Sequence, residues 1–210
     1  MTKPAPNRHA LASVEAVTTL LLARHGETDW NRNRRFQGHS DTPLNERGRE
    51  QARELGRALA DVDLVGVYSS DLVRARETAE LAVAGRGLEV ATMPQLRERG
   101  FGAWEGLDTE EIQERFPDEF QRWRAGKGLG AADAEPHATL LERISDAVRT
   151  ISRAHPTGNV LVVSHGGPLR VAHALAHGLD YLADRHTIPG VDNCALLRWA
   201  LRDGILTPVH

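Results

Sequence analysis

Two histidines occur in the same sequence context, each directly after an apolar run and directly before a glycine. His25 lies in the stretch LLLARHGET, and His165 lies in LVVSHGGPL. In open α/β sheets, ligands collect at the carboxyl ends of the strands, where glycines allow close backbone approach and helix N-termini present free N–H groups to anions. The repeated context therefore predicts that both histidines lie in one cleft that receives an anion.

Two arginines accompany these histidines. Arg24 immediately precedes His25, and Arg74 follows the apolar run LVGVYS and the polar turn SSD. A guanidinium group can hold two oxygens of one phosphoryl group. Two such groups, together with helix-terminal N–H groups, can neutralise a phosphate dianion without a metal ion, which is the main electrostatic task in phosphoryl transfer. Because the sequence contains no Walker-type loop and no acidic metal-binding cluster, it favours metal-independent phosphoryl transfer.

Each of these residues also has a purely structural interpretation. A hydrogen-bonded structural histidine is more common than a catalytic one. Arg74 could simply pair with Asp71 or Glu77 on the surface of its own helix. Only the co-occurrence of the histidines and arginines at corresponding positions of the predicted sheet favours the functional interpretation.

A metal site is a further alternative, because His173 and His177 lie four residues apart on one predicted helix. The residues between them lack the glutamate of the zinc-protease pattern, and no carboxylate partner is evident. An ordinary helix face is therefore favoured, and neither a metal nor a cofactor is predicted.

The chain around these residues alternates between apolar runs and helical patterns. The strand-like runs cover 18–23, 63–70, 88–93, 159–164 and 194–201, and the helical patterns cover 45–61, 71–84, 139–154 and 168–178. Asn45 is a plausible N-cap of the first helix, and Gly178 suits the end of the last. The alternation predicts an α/β fold, a three-layer sandwich with a mostly parallel central sheet and helices on both faces.

One segment, residues 100–136, interrupts this alternation. It lacks a strand-like run but contains Trp104, Phe116, Phe120 and Trp123 among glycines and charged residues. We therefore predict a small helical cap inserted into a single catalytic domain of residues 18–210. Residues 1–17 are expected to form a flexible N-terminal extension. Substrate choice is expected to depend on the cap.

Length and composition restrict the class of protein. The 210 residues, 40% of them hydrophobic, can build one continuous core. A formal net charge of -3 argues against a nucleic-acid partner, which needs a clustered basic excess. No apolar run approaches the roughly 20 residues that span a bilayer, so no membrane association is predicted. The single cysteine, Cys194, can form no intrachain disulfide, which fits a reducing, cytoplasmic location.

Together these motifs resemble the histidine phosphatase superfamily, which includes cofactor-dependent phosphoglycerate mutases and many small-molecule phosphatases. The resemblance runs from about Leu20 to Asn193, through motifs in residues 20–52, 67–80, 96–106 and 162–171. Several spaced motifs in the right order are more specific than any one of them.

The resemblance implies a catalytic role for five residues. His25 would be the nucleophile that accepts the phosphoryl group, and Arg24, Arg74 and His165 would complete the phosphate pocket. Glu98, in LRERGFG, would donate a proton to the leaving group and then activate water. Without the resemblance, a solvated charge between two arginines would be the preferred interpretation of Glu98.

The resemblance also implies substrate-binding residues. Asn31 in TDWN matches the family's phosphate-side asparagine, and Gln37 and Gly38 in RFQG match its substrate-side loop. Gly166, directly after His165, is predicted to bind substrate as well. Asn31 and Gln37 could instead be ordinary turn residues.

One departure from the family lies before the long helix. Many members carry Gly-Gly-Glu-Ser there, whereas this chain has DAEPH. Glu135 keeps the acidic position, but Ala134 replaces a glycine and Pro136 replaces the serine. We therefore expect a different local loop and different substrate selection, with the phosphoryl-transfer core unchanged.

These features predict a metal-independent phosphatase that hydrolyses small-molecule phosphate monoesters through a phosphohistidine. A cofactor-dependent phosphoglycerate mutase would use the same residues but would return the phosphoryl group to a second hydroxyl, and the short cap favours the phosphatase. The alternative from another class is a non-catalytic phospho-ligand-binding protein, which the presence of all five catalytic candidates disfavours. The sequence does not identify the ester, and it leaves a homodimer open.

Overall fold

A computed structural model describes residues 17–209, which form one sheet with helices on both faces. Except for Val17, the predicted N-terminal extension lies outside the described residues. The strands are β1 Thr18–Arg24, β2 Leu64–Ser69, β3 Ala91–Thr92, β4 Gly158–Ser164, β5 Leu196–Arg202 and β6 Ile205–Pro208. Their order in the sheet is β3-β2-β4-β1-β5-β6. The first four strands in this order pair in parallel, β5 pairs antiparallel with β1, and β6 pairs antiparallel with β5. The predicted mostly parallel sheet is confirmed.

Helices surround this sheet on both sides. They are α1 Asp29–Arg32, α2 Glu46–Ala58, α3 Val73–Ala82, α4 Thr109–Arg115, α5 Pro117–Arg124, α6 His137–Ala154, α7 Gly166–His177 and α8 Tyr181–Asp184. Asn45 caps α2 by accepting a hydrogen bond from the Gly48 amide, and Gly178 ends α7 in the left-handed conformation, both as predicted. No helix within the described part of the chain is long and apolar enough to cross a bilayer.

The central strands β1 and β4 divide their side chains between two cores. Leu20 and Leu22 of β1 pack with residues of α6 and α7 on one face. Leu21 and Ala23 pack with residues of α2 and α3 on the other. This alternation follows from the two-residue period of a strand, and it confirms the three-layer arrangement.

Two strands differ from the sequence-based prediction. The run 88–93 pairs with β2 only at Ala91 and Thr92, and Pro94, which has no N–H to donate, ends it and begins a 3₁₀ turn. The late strand β5 is antiparallel to β1 and continues into β6, which was not predicted. Asp203 and Gly204 join these strands with positive φ angles of 50° and 79°, as the tight hairpin turn of an Asp-Gly pair requires.

The segment 100–136 contains α4 and α5 and has its own apolar cluster. Its buried members are Trp104, Ile112, Phe120, Ala131 and Ala134. Phe36, from the loop after α1, packs against this cluster with its ring 5.8 Å from that of Trp104. The helical segment is therefore anchored beside the loop that follows β1.

Candidate active site

His25 and His165 lie next to each other because their strands are neighbours. β1 and β4 pair in parallel with Arg24 opposite Ser164, so each histidine is the first residue after its strand. The His25 amide donates to the Ser164 carbonyl at 2.9 Å. The two ring centroids are 5.1 Å apart, and the side chains are 3% and 0% exposed. The structure thus brings both predicted histidines into one cleft.

The orientation of the His25 ring is fixed by its neighbour in the chain. Its Nδ1 lies 2.7 Å from the Gly26 carbonyl oxygen. Because a carbonyl oxygen only accepts, Nδ1 carries the hydrogen and Nε2 keeps its lone pair. A side chain at position 26 would lie 2.5 Å from the Gly48 carbonyl, so only glycine fits there. The Gly26 amide donates to the Thr78 hydroxyl at 3.0 Å, which ties this turn to α3.

Arg74 is fully buried at the start of α3 and is held by carbonyl oxygens. Its Nη1 donates to the Ser40 carbonyl and its Nη2 to the Gly38 carbonyl, both at 2.8 Å. Arg24 is held in the same way, by a 2.8 Å bond from Nη1 to the Val191 carbonyl. Carbonyl oxygens fix the direction of a guanidinium group without cancelling its charge.

The surface pairing considered for Arg74 is wrong. Glu77 accepts from Arg49 at 2.7 Å, and Asp71 accepts from Arg97 at 2.6 Å. Among residues 17–209, neither Arg24 nor Arg74 forms an ion pair with a carboxylate. Both charges are therefore free to meet an anion.

Burial and the two arginines together determine the charge of the histidines. Burial, then Arg74 and Arg24, lower the pKa of His25 well below its usual value. Burial, then Arg74, His25 and Arg24, do the same for the pKa of His165. Burial also lowers the pKa of Arg74 to about 10, so it stays charged at neutral pH. The cleft thus combines neutral imidazoles with cationic guanidinium groups.

Glu98 lies at the amino end of α7 and is not a free surface charge. Its carboxylate accepts from the Gly167 amide at 3.1 Å and from the Arg99 amide at 2.8 Å. The flanking arginines are engaged elsewhere: Arg97 pairs with Asp71, and the Arg99 guanidinium donates to carbonyl oxygens. The structural alternative of a charge solvated between two arginines is therefore wrong.

The backbone that carries Glu98 is fastened by Arg143 of α6. Arg143 donates to the carbonyl oxygens of Gln95, Arg97 and Glu98. It also forms a bidentate ion pair with Glu135, with N–O distances of 2.7 and 2.9 Å. Glu135, the acidic position retained in DAEPH, thus joins α6 to the segment that carries Glu98. We call this set of Arg143 contacts the Arg143 clamp.

The predicted substrate-binding residues lie around the same cleft. The side-chain oxygen Oδ1 of Asn31 accepts from the Thr28 amide and completes the capping box of α1, so this residue has a structural role as well. Gln37 is 7% exposed and accepts from the Thr42 hydroxyl. Gly38 has a φ of 51° and supplies the carbonyl that Arg74 contacts. Gly166 is the first residue of α7 and lines an adjoining cavity.

Asn193 was not identified from the sequence. Its side-chain amide donates to the His25 carbonyl at 2.8 Å and lies 3.4 Å from the Asn31 side-chain oxygen. The partners are 168 and 162 residues apart in the chain, and no local motif marks such a contact. Asn193 therefore fixes the backbone of the candidate nucleophile from the far end of the chain.

Two adjoining cavities open beside these residues. The first, which we call the phosphate cavity, has a volume of about 310 Å³ and is lined by Arg24, His25, Asn31, Gln37, Gly38, Arg74 and Glu98, among others. The second has a volume of about 480 Å³ and shares Arg24, Phe36, Glu98 and Phe101 with the first. A bound ester can therefore place its phosphate in one cavity and its alcohol portion in the other, with Glu98 between them.

His173 and His177 lie on α7 with ring centroids 4.3 Å apart. Within residues 17–209, no group of three or more histidine, cysteine, aspartate or glutamate residues is arranged to hold a metal ion.

Comparison with known proteins identifies the family of this chain. The family model of the histidine phosphatase superfamily (branch 1) matches residues 20–207. Phosphoserine phosphatase 1 of Hydrogenobacter thermophilus is 33% identical over 77% of this chain and 77% of its own. A probable phosphoglycerate mutase of Serratia proteamaculans is 34% identical over 85% of this chain and 83% of its own. The solved structure of Bacillus stearothermophilus YhfR has a TM-score of 0.85 and 34% identity, covering 91% of this chain and 95% of its own. This chain therefore belongs to the histidine phosphatase superfamily, as a phosphoric monoester hydrolase of the histidine phosphatase type.

Proposed function

We propose that this phosphatase acts on small-molecule phosphate monoesters through a phosphohistidine formed on Nε2 of His25. The observation that carries this proposal is the 2.7 Å contact between His25 Nδ1 and the Gly26 carbonyl. It leaves the Nε2 lone pair available in a buried cleft with two arginines. A neutral imidazole held in one tautomer is the form that an in-line attack on phosphorus requires.

The cations of the cleft support the transfer step. Arg24 and Arg74 would hold the oxygens of the transferring phosphoryl group, and His165 would donate to one of them. Because carbonyl oxygens already fix both guanidinium groups, little reorganisation accompanies the reaction. This charge replaces that of a metal ion, so the proposed reaction is metal-independent.

Glu98 would act first as acid and then as base. As the Nε2–P bond forms and the ester O–P bond breaks, Glu98 gives its proton to the leaving oxygen. This step requires Glu98 to hold a proton when the ester binds. In the second step Glu98 takes a proton from water, the water oxygen bonds to phosphorus, and the Nε2–P bond breaks. Inorganic phosphate leaves, and His25 returns to its neutral form.

A mutase would differ only in the acceptor of the phosphoryl group, which would be a second hydroxyl instead of water. The relatives carry both kinds of name, and the short helical segment of α4 and α5 favours the phosphatase. Phosphoserine, the substrate in the name of one relative, is a reasonable first ester to assay. A cytoplasmic location, a lack of nucleic-acid and membrane partners, and a homodimer stay predictions.

The proposal is tested by trapping the phosphoprotein. Labelled nitrophenyl phosphate and a rapid quench should leave label on the parent protein, labile to acid and stable to mild alkali, as expected for phosphorus on nitrogen. His25→Ala should abolish both label and turnover, whereas His177→Ala, at the far end of α7, should keep both. An adduct stable to acid and labile to alkali would indicate a serine or threonine ester and would refute the assignment.

A further inference from the structure

Glu105 belongs to the helical segment of residues 100–136, yet its carboxylate binds the loop that follows α1. Oε1 accepts from the backbone amides of His39 and Phe101, each at 3.0 Å. Oε2 accepts from the backbone amide and the hydroxyl of Ser40, each at 2.8 Å. Four donors therefore hold this one carboxylate, and three of them come from the loop after α1.

The same loop holds Arg74 with its carbonyl groups. Arg74 donates from Nη2 to the Gly38 carbonyl and from Nη1 to the Ser40 carbonyl, both at 2.8 Å. The Gly38 carbonyl and the His39 amide belong to one peptide group, which accepts from Arg74 at one end and donates to Glu105 at the other. Hydrogen bonds in such a chain polarise and strengthen one another. A side chain at Gly38 would collide with the Glu105 carboxylate, so only glycine allows this approach.

The position of Glu105 is set by the residues on either side of it. Trp104 is fully buried in the apolar cluster of the helical segment. The Gly106 amide donates to the Phe36 carbonyl at 2.8 Å, and the Phe36 amide donates to the Leu107 carbonyl at 3.0 Å. The packing of the helical segment and these two backbone bonds therefore fix the carboxylate beside the loop.

This arrangement leaves the charge of Arg74 available to a ligand. The two carbonyls use two of its five N–H groups, and among the described residues its buried Nε has no hydrogen-bond partner. Burial lowers the pKa of Arg74 to about 10, and the negative charges of Glu98, Asp41 and Glu105 oppose this fall. Glu105 thus favours the charged guanidinium without occupying the donors that a phosphoryl group needs.

We propose that Glu105 is a positioning residue for Arg74, which it aligns with the phosphoryl group through the peptide group between Gly38 and His39. The helical segment thereby contributes to the phosphate cavity. This inference rests on the proposed function, because it assumes that Arg74 binds the transferring phosphoryl group. Glu105 itself touches neither the substrate nor the reacting atoms in this scheme.

The test is a double-mutant cycle between Glu105 and Arg74. Glu105→Gln keeps the size of the side chain but leaves only one oxygen to accept, so two of the four hydrogen bonds are lost. The value of kcat/KM for nitrophenyl phosphate and the inhibition constant of vanadate are measured in the parent, in Glu105→Gln, in Arg74→Lys and in the double variant. Glu105→Gln should weaken both by about 10–100-fold, the range for lost charge-assisted hydrogen bonds. In the Arg74→Lys background, which lacks the guanidinium fork, the same change should cost less than about 3-fold.

Two further variants control for the fold. Glu114→Gln changes an exposed glutamate of α4 in the same helical segment, and it should leave both constants as in the parent. Ser40→Ala removes one donor to Glu105 and should weaken vanadate by about 2–10-fold. Urea unfolding shows which variants fold, and Ser40→Ala takes the place of Glu105→Gln in the cycle if the latter does not.

Equal losses from Glu105→Gln in the parent and in the Arg74→Lys background would show that Glu105 supports only the fold, and would overturn the inference. Unchanged vanadate inhibition in Glu105→Gln would overturn it as well. Failure of the proposed function is recognised separately, because the parent would then form no phosphohistidine or Arg74→Lys would keep the parent's vanadate inhibition. Hydrogen exchange at the Arg74 guanidinium, measured by NMR in the parent and in Glu105→Gln, needs no Arg74 variant and no turnover. Faster exchange in Glu105→Gln supports the positioning role, and equal exchange refutes it.

Discussion

Loss of the Arg143 clamp should change two properties together: the stability of the fold and the dependence of the rate on the leaving group. The side chains of Arg143 and Glu135 are only 16% and 13% exposed. Burial alone would raise the pKa of Glu135, but the hydrogen bond and the charge of Arg143 outweigh it, and the pKa is lowered. The two residues therefore form a largely buried ion pair, and removal of one partner leaves the other as an unpaired buried charge.

Arg143→Met leaves the Glu135 carboxylate without its ion-pair partner and three backbone carbonyls without their hydrogen-bond donor. Breaking a buried pair from one side costs about 3–5 kcal/mol in the free energy of unfolding. Glu135→Gln keeps the three carbonyl contacts and removes only the charge, so it should cost less, about 1.5–3 kcal/mol. The double variant removes both charges, and its loss should be smaller than the sum of the two single losses.

The catalytic consequence follows from the bond between Arg143 and the Glu98 carbonyl, at 2.8 Å. Without it the carboxyl group of Glu98 shifts, and a misplacement of about 1 Å can cost 10²-fold in rate. Alkyl phosphates, whose leaving oxygen needs a proton, should lose about that much in a single-turnover burst. Nitrophenyl phosphate should lose much less, because nitrophenolate departs without a proton.

Urea unfolding and the two single-turnover bursts measure both effects on the same variants. Arg149→Met is the matched control, since Arg149 lies on α6 in an exposed pair with Asp146 and should cost no more than about 1 kcal/mol. A destabilised Arg143→Met with equal rate losses for the two esters would show that the clamp supports the fold without positioning Glu98. Unchanged stability would refute the buried-pair reasoning itself.

Three further predictions follow from the site. Glu98→Gln should slow the release of alkyl alcohols by about 10²–10⁴-fold and the nitrophenolate burst much less; equal losses would contradict its role as acid. Chelators should leave turnover unchanged, whereas vanadate, which resembles the five-coordinate transition state, should inhibit; activity restored by a divalent ion would refute this. The third is acid lability. His25, His165 and His137 have lowered pKa values in the folded chain, so below pH of about 6.5 the unfolded chain binds more protons. As the pH falls, each histidine then lowers the free energy of unfolding by about 1.4 kcal/mol per pH unit until its folded pKa is reached. The measurement is a denaturant series at pH 7, 6 and 5, and a constant free energy of unfolding across it would contradict this prediction.

The parts of the site that could be predicted are those that follow from strand position. His25 and His165 each end an apolar run, and parallel neighbours bring such ends together. Arg74 could be predicted for the same reason, because α3 starts beyond the end of β2. In each case a local motif and a general rule of sheet topology were sufficient.

The parts that could not be predicted depend on contacts between distant segments. Asn193 reaches His25 across 168 residues, and Arg143 reaches the Glu98 carbonyl across 45. Neither residue type has a sequence pattern that distinguishes it from a surface residue. β6 carried a signal, the Asp-Gly turn at 203–204, but its strand is only four residues long. Pairing direction depends on which strand lies alongside, and this is decided by the whole fold.

The charge of the cleft explains how a phosphate dianion would complete it. Arg24 and Arg74 are held by carbonyl oxygens and stay charged. Burial, together with these two charges, lowers the pKa values of both histidines and favours their neutral forms. A bound dianion reverses this balance at His165, since a nearby negative charge favours the imidazolium form. At His25 the bond to the Gly26 carbonyl places the hydrogen of the neutral ring on Nδ1, so the lone pair of that form lies on Nε2. In the proposed mechanism, the same anion would therefore make His165 a hydrogen-bond donor to the phosphoryl oxygens, while neutral His25 would attack through Nε2.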